Sequence, residues 1–170
     1  MPAPFDPSCI FGVLAEHDVD YVLIGGLAAV LRGSTAMTND ADIVPAHEPG
    51  NLERLSAALV DLRARLRVED TPSGIEFDPH PALIASMAML NTTTRCGDLD
   101  LTFAPPALDD YGSLVENSDV FDIEGRLVRV AALADIIRSK QASGRAKDRA
   151  TLPVLLALQE EIDAQDEAPS

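Results

Sequence analysis

Two aspartates separated by a single residue are the part of this sequence best suited to do chemistry. Asp40 and Asp42 lie in the segment DADIVP, where the β-branched residues Ile43 and Val44 predict a short strand. Side chains at positions i and i+2 of a strand project from the same face, so the two carboxylates should lie side by side. Mg²⁺ is commonly held by one or two carboxylates together with substrate phosphates. The pair therefore predicts a metal site.

A pair of glycines precedes the aspartates and is suited to the other half of such a site. Gly25 and Gly26 follow the apolar run YVLI, which predicts a buried strand, and they precede a short helical segment at 27–31. Glycine lets backbone N–H groups approach a phosphate closely, and a helix N-terminus attracts anions. A phosphate-binding turn followed by paired carboxylates indicates phosphoryl or nucleotidyl transfer.

The segment from Tyr21 to Pro45 resembles the signature of the DNA polymerase β-like nucleotidyltransferase superfamily, and most of all its minimal nucleotidyltransferases and the AbiEii-like toxins of type IV toxin–antitoxin systems. The resemblance extends from Val19 to Leu158. It implies an α+β fold, with a mixed β-sheet, helices packed on one face and a C-terminal helical segment. The matching residues are Gly25, Gly26, Ala28, Ala29, Gly33, Ser34, Thr38, Asp40, Asp42 and Ile43.

A second acidic strand is predicted within a hairpin over residues 87–103. In the segment GDLDL, Asp98 and Asp100 alternate with leucines, so the leucines should face the core and the carboxylates should lie beside Asp40 and Asp42. The superfamily resemblance implies a third catalytic and metal-binding carboxylate on such a strand, which helps to activate the attacking hydroxyl. Asp100 is the best match, and Asp98 is the reserve candidate.

The segment SKQASGRAKDRATL supplies basic residues that the resemblance places against the nucleotide's phosphates. Asp148, in the same segment, is predicted to orient Lys147 or Arg145. The resemblance implies NTP as substrate and Mg²⁺ or Mn²⁺ as cofactor. The predicted nucleotide- and phosphate-binding residues are Gly25, Gly26, Ser34, Thr38, Lys140, Arg145 and Lys147.

Length and composition predict one nucleotidyltransferase-like domain over residues 1–163, followed by a disordered acidic tail at 164–170. No run of about 18 apolar residues is present, so no membrane span is expected. The N-terminal segment lacks the features of a signal peptide. Cys9 and Cys96 have no metal-ligand spacing and are predicted to be free thiols in a reducing cytoplasm, with a disulfide between them as the alternative.

The net charge of −15 argues against a general nucleic-acid-binding protein. The charge is unevenly distributed, because residues 126–149 carry seven basic and two acidic side chains. A local basic surface on an acidic protein is able to hold a triphosphate or one RNA end.

The toxin-like resemblance implies transfer of NMP to an RNA, especially the 3′ end of a tRNA, and a cognate antitoxin protein as partner. A second hypothesis is transfer to a protein hydroxyl or to a small molecule such as an aminoglycoside. A third is a catalytically degenerate member that binds a nucleotide or a partner protein. Ala36 keeps the third hypothesis open, because relatives often carry a basic residue there.

Elsewhere, hydrophobic spacing predicts helices over residues 7–18, 51–67 and 132–143 and a hairpin with strands at 120–123 and 127–130. Residues 68–81 are predicted to be a loop with at most a short strand at 75–77. The last helix should begin near Ala146, with a kink or a later start caused by Pro153.

Overall fold

The computed structural model describes residues 2–108 and 110–168, which form one mixed eight-stranded sheet and seven helices. This arrangement confirms the predicted α+β class. The strands are β1 (Tyr21–Ile24), β2 (Asp40–Pro45), β3 (Arg65–Val68), β4 (Thr71–Ile75), β5 (Met89–Thr94), β6 (Gly97–Thr102), β7 (Asp119–Ile123) and β8 (Arg126–Val130). The helices are α1 (Pro7–Glu16), α2 (Gly25–Leu31), α3 (Pro49–Asp61), α4 (Pro81–Ser86), α5 (Tyr111–Asn117), α6 (Leu133–Ser143) and α7 (Ala146–Glu167).

The sheet has the strand order β4-β3-β5-β6-β2-β1-β8-β7, so β6, β2 and β1 lie near its centre. β2 runs antiparallel to β1 and parallel to β6. On these strands the apolar side chains of Leu23, Ile43, Leu99 and Leu101 are fully buried. Burial of each such side chain contributes about 1.5–3 kcal/mol. On β2 and β6 these apolar residues alternate with aspartates, which fixes the register of the two strands, because a slip by one residue would bury the carboxylates.

The helix predicted over residues 51–67 is wrong in its last six residues. α3 ends at Asp61, Arg63 takes a left-handed backbone conformation (φ 53°), and residues 65–68 form β3. The leucines of α3 do pack in the core, but Leu66 belongs to the strand and not to the same helical stripe. β3 is held in the sheet by antiparallel pairing with both β4 and β5.

Two other regions differ from the sequence predictions. β4 occupies residues that were predicted to be a loop, because pairing of Val68 with Thr71 and of Leu66 with Ile75 closes a tight hairpin. α7 begins at Ala146, as predicted, and contains Pro153, so the later start considered for this helix is wrong. It extends to Glu167, into the segment predicted to be a disordered tail, whose residues 169 and 170 lie outside the described part of the chain.

Cys9 and Cys96 are joined by a disulfide bond, so the prediction of free thiols is wrong. α1 packs beside the β5–β6 turn, where the Asp6 N–H donates to the Cys96 carbonyl oxygen at 2.9 Å. This places the two cysteine Cα atoms 5.8 Å apart, within the usual range for a disulfide. Within residues 2–108 and 110–168, no helix is both long and apolar enough to cross a bilayer.

Candidate active site

Four carboxylates form a compact block on one face of the sheet. Because β2 and β6 are parallel and in register, Asp40 lies beside Asp98 and Asp42 lies beside Asp100. Carboxylate oxygens of Asp40, Asp42 and Asp100 lie within 4.8 Å of one another. Hard divalent cations prefer such clustered oxygen ligands. The structure thus brings together the three residues predicted to bind metal, and Asp98, the reserve candidate, is not part of this cluster.

The surroundings of Asp42 disfavour its ionised form. Burial, together with the neighbouring charges of Asp40 and Asp100, raises the pKa of Asp42 to about 7. The positive charges of Lys147 and Arg145 act in the opposite direction. A carboxyl group with this pKa gains from a nearby cation, which favours its ionised form.

The glycine pair lies directly against the carboxylates. Gly25 has a positive φ of 73°, and a Cβ atom there would lie 2.4 Å from Oδ2 of Asp42. A Cβ on Gly26 would lie 3.1 Å from Oγ1 of Thr38. α2 begins at Gly25, two residues before the predicted start, and no side chain caps its N-terminus. The first turn of α2 therefore lies beside Asp42 and Thr38, and its N–H groups have no side-chain cap.

Two hydroxyl residues predicted to contact the nucleotide hold the loop between α2 and β2. The Thr38 hydroxyl donates to Asp40, at 3.0 Å from Oδ1 and 3.2 Å from the carbonyl oxygen. The buried Ser34 hydroxyl accepts the Ala36 N–H at 3.2 Å. Thr38 thereby fixes the Asp40 carboxylate, and Ser34 fixes the backbone beside it.

The opposite wall of the site is organised by a buried aspartate at the start of α7. Asp148 is fully buried and accepts hydrogen bonds from Lys140 Nζ at 3.2 Å, from Arg145 Nε at 2.7 Å and from the Ser143 hydroxyl. Burial alone would raise its pKa, but these donors outweigh burial and hold the pKa at about 2. The expected contact with Arg145 is present, and Lys140 takes the place predicted for Lys147.

One cleft of about 520 Å³ unites these walls. All the residues predicted to bind nucleotide or phosphate line it, as do the three clustered aspartates. They are Gly25, Gly26, Ser34, Thr38, Lys140, Arg145, Lys147, Asp40, Asp42 and Asp100.

Sequence reasoning missed Arg67, which reaches the carboxylates from β3. Its Nη1 lies 2.8 Å from Asp98 Oδ2, and its Nη2 lies 2.7 Å and 2.9 Å from the two oxygens of Asp100. Burial raises the pKa of Asp100, and the hydrogen bond from Arg67 opposes that shift. The alternation in RLRV is the sequence signal for this strand, but it was masked by leucines at helical spacing.

No protein-family model and no curated protein sequence matches this chain. Solved structures do match it. The lincosamide antibiotic adenylyltransferase LnuA, bound to lincomycin, has a TM-score of 0.57 and 13% identity over 91% of this chain and 99% of LnuA. A Thermotoga maritima protein assigned as a nucleotidyltransferase has a TM-score of 0.54 and 14% identity, over 91% of this chain and 96% of that one.

ANT(2″)-Ia in complex with adenylyl-2″-tobramycin is similar to the same degree, with a TM-score of 0.54 and 16% identity over 91% of this chain and 89% of that protein. These similarities confirm the predicted polymerase β-like fold, whereas the closer relation to AbiEii-like toxins stays a prediction. The chain therefore has the nucleotidyltransferase fold.

Proposed function

We propose that this protein is a divalent-metal-dependent nucleotidyltransferase that moves a nucleoside monophosphate from an NTP to a hydroxyl group. One observation carries this proposal. Carboxylate oxygens of Asp40, Asp42 and Asp100 lie within 4.8 Å of one another, in a cleft that Lys140 and Lys147 also line. Clustered carboxylates facing basic side chains are suited to a metal-bound triphosphate. The fold shared with adenylyltransferases supports the same reaction.

The residues present fit Mg²⁺ or Mn²⁺. Asp40, Asp42 and Asp100 offer hard oxygen ligands, and burial together with the charges of Asp40 and Asp100 raises the pKa of Asp42, so a bound cation would favour its ionised form. The ion, when bound, supplies positive charge that polarises the α-phosphate and lowers the pKa of the attacking hydroxyl.

The turn at α2 and the basic wall would hold the nucleotide. The N–H groups of Gly25 and Gly26 would donate to phosphate oxygens. Only glycine lets the backbone lie this close to Asp42, because a Cβ atom on residue 25 would clash with its carboxylate. The exposed Lys147 would neutralise the leaving pyrophosphate, and Lys140, held in place by Asp148, would donate further hydrogen bonds to it. Through Thr38 and Ser34 the intervening loop would keep Asp40 in place.

The transfer itself needs no covalent intermediate. The acceptor oxygen forms a bond to the α-phosphorus, the bond from the α-phosphorus to the bridging oxygen breaks, and pyrophosphate leaves with the electron pair. The hydroxyl proton passes to solvent, and Asp100 orients this hydroxyl from the β6 side of the site. Loss of one carboxylate should lower the rate on the order of 10³-fold.

The acceptor is an RNA, a protein hydroxyl or a small molecule, and two of these classes are favoured by specific observations. The sequence resemblance favours an RNA such as the tRNA 3′ end, and the toxin role and antitoxin partner rest on that resemblance alone. A small hydroxyl compound is favoured by the charges near Asp100, because Arg65 is paired with Glu76 and Arg67 with Asp98 and Asp100. Positive charge already neutralised in this way offers little attraction to a polyanion.

A labelling assay tests the proposal. The protein is incubated with Mg²⁺ or Mn²⁺ and each α-labelled NTP, with total tRNA, protein extract or a panel of aminoglycosides and lincosamides as acceptor. We expect label on one acceptor class with the wild type and with Asp78→Asn, an exposed aspartate outside the cleft. We expect none with Asp42→Asn. Absence of label in every arm, from folded wild-type protein, would contradict the proposal.

A further inference from the structure

Arg67 reaches the four-carboxylate block from β3, whereas Lys140 and Lys147 of the same cleft belong to α6 and α7. β3 pairs with β5, and β5 pairs with β6, so the side chain spans an intervening strand to reach Asp98 and Asp100. Its two terminal nitrogens bind different carboxylates, Nη1 binding Asp98 and Nη2 binding Asp100. The Asp100 side chain is only 13% exposed, whereas Arg67 and Asp98 are each 33% exposed.

Without a counter-charge this block would be self-repelling. Asp40 faces Asp98 and Asp42 faces Asp100 across paired strands, and like charges directly opposite each other destabilise a sheet. The cluster of possible ion ligands contains Asp40, Asp42 and Asp100 but not Asp98. Arg67 contacts Asp98 through Oδ2 and Asp100 through both carboxylate oxygens.

We propose that Arg67 is a positioning residue, which orients the Asp100 carboxylate towards Asp40 and Asp42 and keeps Asp98 out of the ion site. This inference rests on the proposed nucleotidyl transfer. Each oxygen of Asp100 retains a further lone pair for another partner while it accepts from Nη2. The planar fork of arginine bridges two carboxylates, which a lysine ammonium group does not do in a fixed geometry.

Loss of Arg67 should therefore have opposite effects on ion binding and on catalysis. In Arg67→Gln the freed Asp98 becomes a rival ligand and one positive charge disappears, so Mn²⁺ should bind at least as tightly as in the wild type. The kcat should nevertheless fall about tenfold or more, because Asp100 is no longer held in one orientation. Adding Asp98→Asn to Arg67→Gln should recover part of the lost kcat.

Two further variants separate geometry from charge. Arg67→Lys keeps the positive charge without the fork and should lose nearly as much kcat as Arg67→Gln. Arg65→Gln is the matched control, because Arg65 lies on the same strand but contacts Glu76 and the carbonyl oxygens of Ser73 and Gly74. It should keep kcat within about twofold of the wild-type value.

A double-mutant cycle tests the contacts of Arg67 with Asp98 and Asp100 without measuring enzyme activity. In EDTA, Arg67→Gln should lower the unfolding midpoint by roughly 2–4 °C. Asp98→Asn should change the unfolding midpoint more favourably in the Arg67→Gln background than in the wild type. In that background it relieves charge repulsion without breaking an ion pair.

Wild-type kcat in Arg67→Lys, weaker Mn²⁺ binding in Arg67→Gln, or strictly additive midpoints would each overturn the inference. If the wild type transfers no nucleotide at all, the proposed function fails. The double-mutant cycle and the Mn²⁺ titration then decide whether Arg67 positions Asp98 and Asp100.

Discussion

Gly25 and Asp42 are packed so closely that no side chain fits between them. A Cβ atom on Gly25 would lie 2.4 Å from Oδ2 of Asp42 and 2.9 Å from its Cγ. The backbone at Gly25 is also left-handed, with φ at 73°. The phosphate-binding turn and the metal-binding carboxylate of the proposed mechanism therefore occupy adjoining space, and only glycine allows both.

Gly25→Ala should displace Asp42 and lower the transfer rate on the order of 10²-fold. It should also destabilise the fold by about 1 kcal/mol, since alanine disfavours positive φ. Gly26→Ala is the matched comparison, because its Cβ meets only the Thr38 side chain, at 3.1 Å. Steady-state rates and thermal unfolding of both variants check this. A Gly25→Ala enzyme as fast as Gly26→Ala would show that the close contact is unimportant.

Metal affinity should rise with pH. The pKa of Asp42 is about 7 in the metal-free protein, and a carboxylate must be ionised to bind the ion, so binding releases protons below this pH. The Kd for Mn²⁺ should fall as pH increases from about 5 and should level off above about 7.5. Calorimetry in two buffers of different ionisation enthalpy measures the proton release. An affinity independent of pH over this range would contradict the placement of Asp42 among the ligands.

The same group should make the metal-free protein less stable at higher pH. Its folded pKa of about 7 exceeds the ordinary value of 3.8, so the folded state binds more protons than the unfolded state between these values. The stabilising contribution of protonated Asp42 is thus present at low pH and is lost as pH rises through 7. Asp42→Asn should flatten this part of the profile of unfolding midpoint against pH in EDTA. An identical slope in wild type and variant would refute the assignment.

Asp148→Asn should affect both stability and nucleotide binding. Lys140 and Arg145 would lose a buried ionised acceptor, and breaking such a pair costs about 3–5 kcal/mol. The KM for NTP should rise, because Lys140 would no longer be held in place. Lys147→Met gives the contrast, since Lys147 forms no ion pair within the described residues. It should raise KM without changing the unfolding midpoint. An Asp148→Asn protein with wild-type stability would contradict this account.

Reduction of the Cys9–Cys96 disulfide should lower stability. The bond joins residues 87 apart in sequence, and closing a long loop typically stabilises a protein by about 2–4 kcal/mol. Thermal unfolding with and without a reductant measures the effect, and Cys9→Ser should match the reduced wild type. Two titratable thiols in the unfolded, unreduced protein would show that the bond does not form.

The central part of the site was predictable because its signals are local. Alternation of aspartates and apolar residues placed Asp40 and Asp42 on one strand and Asp98 and Asp100 on another. The glycine pair marked the end of β1 and the start of α2. These patterns depend on positions only a few residues apart, so they can be recognised in the sequence without knowledge of tertiary contacts.

The role of Arg67 was not predictable, because it depends on strand order. Leucines at 52, 55, 59, 62 and 66 suggested one long helix, whereas the left-handed residue Arg63 ends the helical region and lets β3 join the sheet. The disulfide and the Asp148–Lys140 pair likewise depend on how distant segments pack. Sequence spacing alone carries little information about such contacts.

The most direct test of the central claim is to follow two labels on the same NTP in one reaction. Wild-type protein, a divalent ion and an acceptor are supplied with either α-labelled or γ-labelled nucleotide. Nucleotidyl transfer predicts that the α label appears on the acceptor and the γ label in pyrophosphate, and that Asp40→Asn, Asp42→Asn and Asp100→Asn abolish both signals. Transfer of the γ label to the acceptor, or release of orthophosphate instead of pyrophosphate, would contradict the proposed reaction.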